Sequence, residues 1–127
     1  MKLTIDQALL KAVELHQEGK LQVAEGLYKA ILQIQPKHPD ANHNLGVLAV
    51  SLNNRAAALS LFKTALEVSP NEGQFWISYI DALIKEKQLE NASNAILKAK
   101  KAGLSAKAIA TLEVQLTQTN ALQGPAP

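Results

Sequence analysis

PDANHNLGVLAVSLNNRAAALSLFKTALEVSPNE, residues 39–72, is the stretch that decides the fold. Its small and bulky residues fall at helical spacing: Leu45 and Gly46, then Ala58, Phe62 and Ala65, and finally Pro70. Two antiparallel helices that pack closely need small side chains where their backbones approach and large ones where space remains. Gly46, Ala58 and Ala65 supply the small residues, and Leu45 and Phe62 the bulk. Pro70 closes the stretch, because its ring and missing N–H cannot continue a hydrogen-bond ladder. Asn53-Asn54 interrupts the middle, so the spacing predicts helices over about 39–52 and 55–69 joined by a short turn.

The same offsets return on either side. Ala24 to Ala58 and Ala58 to Ala92 are each 34 positions, as are Tyr28 to Phe62 and Pro36 to Pro70. That period, with Leu-Gly, Ala-x3-Phe and a closing Pro, is most of the tetratricopeptide-repeat (TPR) signature. The sequence resembles the TPR family over nearly its full length, most closely in the middle copy. The resemblance implies an all-α fold: a right-handed superhelix of three helix-turn-helix repeats, over about 5–38, 39–72 and 73–104, plus a capping helix over 105–118. It implies seven helices in a single domain over 1–118. Gln123-Gly124-Pro125-Ala126-Pro127 has linker composition, and 119–127 is expected to be a disordered tail or linker.

The first copy opens on Thr4 with Gln7 three positions later, a capping box. Its Ala8, Lys11 and Ala12 stand where the family has Trp, Leu and Gly, as an end repeat allows. Gly19 marks its turn, and Leu21 to Gln35 continues as a helix with Ala24, Leu27, Tyr28, Ile31 and Leu32 on one stripe. In the third copy Asn71 reads as the helix cap and Trp76 takes the signature tryptophan position. Tyr79-Ile80 replaces Leu-Gly there, so a looser helix crossing is expected. Gly103 is expected to end the last pair. Ser105 then caps a final helix with Ile109, Leu112 and Leu116 on its apolar face.

Composition agrees with helices. The chain is 47% hydrophobic yet only 4% aromatic, so its core relies on Ala, Leu, Ile and Val, as close helix packing requires. The absence of cysteine removes disulfides, thiolate catalysis and sulfur-ligated zinc, and it is compatible with the reducing cytosol of a cytoplasmic protein. Asp6, Lys11 and Glu14 interrupt any signal-peptide core, and no apolar run is long enough for a membrane span. A net charge of +2 with no matching motif points away from nucleic acid. Lys98, Lys100, Lys101 and Lys107 cluster where cations favour a helix C-terminus. His16, His38 and His43 lack metal-ligand spacing, and no nucleophile triad, phosphate loop or opposed carboxylate pair is present. Neither cofactor, metal nor catalysis is expected.

The TPR resemblance also implies a site. First helices of such repeats line a concave wall that holds a peptide or a partner helix. Carried over by position, the wall comprises Leu10 and Val13, then His43, Asn44, Val47 and Val50, then Ile77, Ser78, Asp81, Ile84 and Lys85. Asn44 is the leading candidate. It precedes Leu45-Gly46, where peptide-binding TPRs of O-linked N-acetylglucosamine transferases and chaperone adaptors carry an Asn that can both donate and accept. Leu10 and Ser78 hold the equivalent places, so there is no continuous Asn ladder. Lys85 is the sole basic residue on this wall, which excludes a carboxylate clamp. Trp76 and Phe62 are read as core.

The leading functional reading is therefore a non-enzymatic module that binds a protein or peptide. An alternative makes the chain the arm of a larger bacterial transferase, since Ala24–Leu32 and Tyr79–Leu83 look like TPR arms preceding glycosyltransferase, sulfotransferase or methyltransferase domains. A third reading is a homodimer formed through Leu9, Leu10 and Val13.

Overall fold

A computed structural model describes residues 2–122. Among them are seven helices and no strand. They are α1 (Ile5–Gln17), α2 (Leu21–Ile34), α3 (Pro39–Ser51), α4 (Arg55–Val68), α5 (Gly73–Lys85), α6 (Leu89–Lys101) and α7 (Ala106–Leu122). The helices group into two compact units that part between Val68 and Ser69, with α1–α4 in the first and α5–α7 in the second.

The helix starts have identifiable chemistry. Gln7 N–H donates to Thr4 Oγ1 at 3.1 Å while Thr4 N–H donates to Gln7 Oε1 at 2.9 Å, the reciprocal pair expected of a capping box. Pro39 occupies the first turn of α3, where its missing N–H costs nothing, and His38 Nδ1 accepts from Ala41 N–H at 3.1 Å. Ser105 caps α7 by accepting from Ala108 N–H at 3.2 Å. The cap expected at Asn71 is displaced by one residue. Glu72 holds that position in an extended conformation and α5 begins at Gly73, without a side-chain cap.

The turn inside each hairpin closes the same way. Gly19, Asn53 and Lys87 lie 34 positions apart and all adopt positive φ, at 82°, 64° and 60°. Each is followed by a residue whose N–H reaches back five positions: Lys20 to Leu15, Asn54 to Ala49 and Gln88 to Leu83, all at 2.8–2.9 Å. This paired closure satisfies carbonyls that a helix end would otherwise leave open. Gly103, at φ 96°, closes α6 in the same manner.

The core of the first unit joins Ala12, Leu15, Ala24, Tyr28, Leu45 and Leu48, with Leu9, Val13, Leu21, Leu27, Leu32 and Leu61 packed around it. Gly46 lies directly under Phe62: a methyl group placed on Gly46 would stand 2.5 Å from Phe62 Cε1. Residues 34 positions away trade volume. Ala12 with Tyr28 and Ile80 with Ile96 are all buried, so the position opposite the bulky ring grows from Gly to Ala to Ile while its neighbour shrinks from an aromatic to Ile. The backbones follow. The α3 and α4 backbones pack together most closely, α1 and α2 less so and α5 and α6 least, in line with the looser crossing expected at Tyr79-Ile80.

α7 runs four residues beyond its expected end at Gln118. Thr119-Asn120-Ala121-Leu122 contains no Gly or Pro to stop it, and Thr119 Oγ1 donates to Gln115 O at 2.9 Å within the helix. The expected tail therefore loses 119–122 to the helix, and its remainder, 123–127, lies outside the described residues.

Candidate functional site

In the first unit, Asn44, Val47 and Val50 are half-buried at i, i+3 and i+6 on α3 and form a partly open face. His43 is not part of it. Its ring is 8% exposed and lies 5.4 Å from the Phe62 ring, tilted by 40°, with Nδ1 3.3 Å from Asn44 Oδ1. The reason is helical geometry: His43 stands three residues before Gly46 and shares its face, and that face is under Phe62. Of the apolar residues expected on α1, Leu9 and Val13 pack on the core, and Leu10 is 71% exposed.

In the second unit Ile84, expected on the wall, is 1% exposed and belongs to the core. It sits one helical turn beyond Ile80, itself fully buried, and so falls on the inner stripe of α5. Ile77, Ser78 and Asp81 remain half-exposed and line a groove of about 470 Å³. Its opposite wall is α7, through Ser105, Lys107, Ala108, Thr111, Leu112 and Gln115.

Two contacts fix the direction of these walls. A methyl group on Gly73, at the start of α5, would meet Leu104 Cδ1 at 3.2 Å, just before α7 begins. Eight residues further along α5, and nine into α7 from Ala106, Gln115 Nε2 donates to Asp81 Oδ1 at 2.6 Å. α5 and α7 thus run the same way, and Gln115 and Asp81 bridge the groove about 12 Å from its opening turn at 1.5 Å per residue. Asp81 Oδ2 also pairs with Lys85 Nζ at 3.0 Å. Gln74 Nε2 donates to Ser78 Oγ at 3.4 Å. Ile77, Ala108 and Leu112 give the groove its apolar lining, and hydroxyl, amide and charged groups line the rest.

The α7 wall has no counterpart in the family-derived site. Thr111, Leu112 and Gln115 stand 34 positions after Ile77, Ser78 and Asp81, so one further application of the period places them.

Among the described residues no cluster of three or more His, Asp or Glu could hold a metal ion, and no helix is long and apolar enough to cross a membrane.

Residues 39–72 match the tetratricopeptide-repeat family profile. The chain carries that repeat and folds as tetratricopeptide-repeat proteins do. Among solved structures it is similar to an O-GlcNAc transferase of Thermobaculum terrenum, with 25% identity and a TM-score of 0.75 over 91% of this chain; the match spans only 23% of that protein. It is similar to the Yersinia enterocolitica type III secretion chaperone SycD in complex with a peptide of the translocator YopD, at 16% identity and TM-score 0.81, covering 97% of each chain. The TPR2B domain of yeast Sti1, in a pHsp70 complex, aligns at 21% identity and TM-score 0.80, over 90% of this chain and 96% of that one. Comparison with curated protein sequences gives no match.

Proposed function

We propose that the chain is a protein-interaction module and that its second unit holds a peptide in the groove between α5 and α7. The observation that carries this reading is the groove itself. Ile77, Ala108 and Leu112 form an apolar lining within reach of Ser78, Thr111, Asp81 and Gln115, so apolar side chains can be buried while the peptide backbone finds donors and acceptors. The solved chaperone domains with the same fold, one holding a translocator peptide and one in a pHsp70 complex, support it. The half-open face of Asn44, Val47 and Val50 offers the first unit a similar mixture of amide and apolar groups.

Backbone NMR tests the proposal. Short peptides with an apolar centre should shift the resonances of Ile77, Ser78, Thr111 and Gln115, with affinities in the micromolar range that a small contact area permits. Thr111→Arg, on an exposed turn of α7, should fill the groove and abolish those shifts with the fold intact. Perturbations confined to α4 and α6 would overturn the assignment. Asn44→Ala asks separately whether the α3 face contributes.

A second reading makes the chain a non-catalytic arm of a larger transferase. It rests on the similarity to the Thermobaculum protein, of which this chain matches 23%. A genomic reading frame that runs past Pro127 into a transferase domain would support it, and a stop codon there would remove it.

A further inference from the structure

The groove between α5 and α7 carries opposite charges at its two ends, and we infer that it selects an apolar peptide segment flanked by one acidic and one basic residue. The inference rests on the peptide-groove reading above and adds the chemistry of the ligand. Lys107 lines the groove in the first turn of α7, is exposed, and makes no ion pair among the described residues. Gln115 follows Lys107 by eight residues of α7, about 12 Å of helical rise, and holds Asp81, which lines the groove at that level. An extended peptide covers that distance in about four residues at roughly 3.3 Å each. An acidic side chain can meet Lys107 and a basic one Asp81 while the residues between them lie on Ile77 and Leu112.

Asp81 is prepared for such an exchange. Gln115 holds Oδ1 at 2.6 Å and sets the carboxylate's orientation, while Oδ2 faces Lys85 at 3.0 Å. The Lys85 side chain is 50% exposed on a flexible stem, and an ion pair of that kind contributes little to stability. Lys85 therefore acts as a stand-in for the basic group of the ligand and competes with it.

Three peptides with one apolar core test this, carrying Glu and Lys, Glu and Glu, or Lys and Lys four residues apart. In NMR titration of the whole chain at low salt, the mixed peptide should bind about threefold to tenfold more tightly than either like-charged one, an advantage that shrinks at high salt. Lys107→Glu should transfer the preference to the Lys and Lys peptide. Lys85→Met should tighten binding of the mixed peptide by removing its competitor. Equal affinity of the three peptides, with shifts at Ile77 and Thr111, would overturn the charge assignment and leave the groove standing. No shift at those residues with any peptide would overturn both.

Discussion

Asn42 and Trp76, 34 residues apart, make the same hydrogen bond with different chemistry. Asn42 Nδ2 donates to the carbonyl of Pro36 at 3.0 Å and Trp76 Nε1 to that of Pro70 at 2.7 Å, each reaching a proline six residues earlier. The chain has left its helix at both prolines, so these carbonyls lack the usual partner four residues on. An amide and an indole thus tie the incoming turn to the next helix at equivalent places in the repeat.

Removing the donor exposes what the tie contributes. Asn42 also donates to His38 O at 2.9 Å, but that carbonyl keeps the Asn42 backbone N–H at 3.1 Å, so Asn42→Leu, which keeps the volume, leaves the Pro36 carbonyl short of a partner. A cost of about 1–3 kcal/mol is expected in urea unfolding followed by circular dichroism. Trp76→Phe should cost about 1 kcal/mol through the single lost bond. An unchanged midpoint in both would mean that water replaces the donors without penalty.

Gly46 leaves no room for a side chain beneath Phe62. With Phe62 Cε1 2.5 Å from an added methyl group, Gly46→Ala forces the ring or the helices apart, at an expected cost of about 1–3 kcal/mol before the gain of up to roughly 1 kcal/mol from alanine's helix preference. Phe62→Leu added to Gly46→Ala should recover part of the loss. Additive destabilisation in that double mutant would show that the two residues do not share the space.

Most of this fold is legible in the period, because a repeat fixes backbone geometry more firmly than it fixes residues. Glycine marks the turn at Gly19, yet nothing about Lys87 announces a left-handed residue; only its distance of 34 from Asn53 does. The groove is less legible. An α-helix turns 100° per residue, so the stripe that faces a ligand is narrow, and His43 falls beside Asn44 but onto the Phe62 side. Ile84 has the same apolar character on either face, and its neighbour Ile80 decides for the core. The α7 half of the groove escapes a reading that ends with three copies, since Thr111 and Gln115 belong to a fourth first helix with its own companions.

Lys87 pays for its turn in backbone strain. A side chain in the left-handed region costs roughly 1–2 kcal/mol, which glycine avoids while losing more chain entropy on folding. Lys87→Gly should therefore stabilise the chain by about 0.5–1 kcal/mol, read as a higher midpoint in denaturant. Gly19→Ala, at the equivalent position with φ 82°, should move it the other way by a similar amount. A loss of stability in Lys87→Gly would show that the lysine side chain makes a contact worth more than the strain.

Tyr28 links stability to alkaline pH. Its side chain is fully buried beside His16, whose Nδ1 lies 3.5 Å from the hydroxyl, and burial raises the phenol's pKa above 10.0. The unfolded chain therefore releases this proton at a lower pH than the folded chain. The stabilisation is complete below pH 10 and is lost as pH rises from there through the folded pKa. The melting temperature should fall more steeply above pH 10 in the parent than in Tyr28→Phe, which has no proton to lose. Parallel curves for the two proteins between pH 9 and about 11.5 would show that the hydroxyl reaches solvent as readily in the folded state as in the unfolded one.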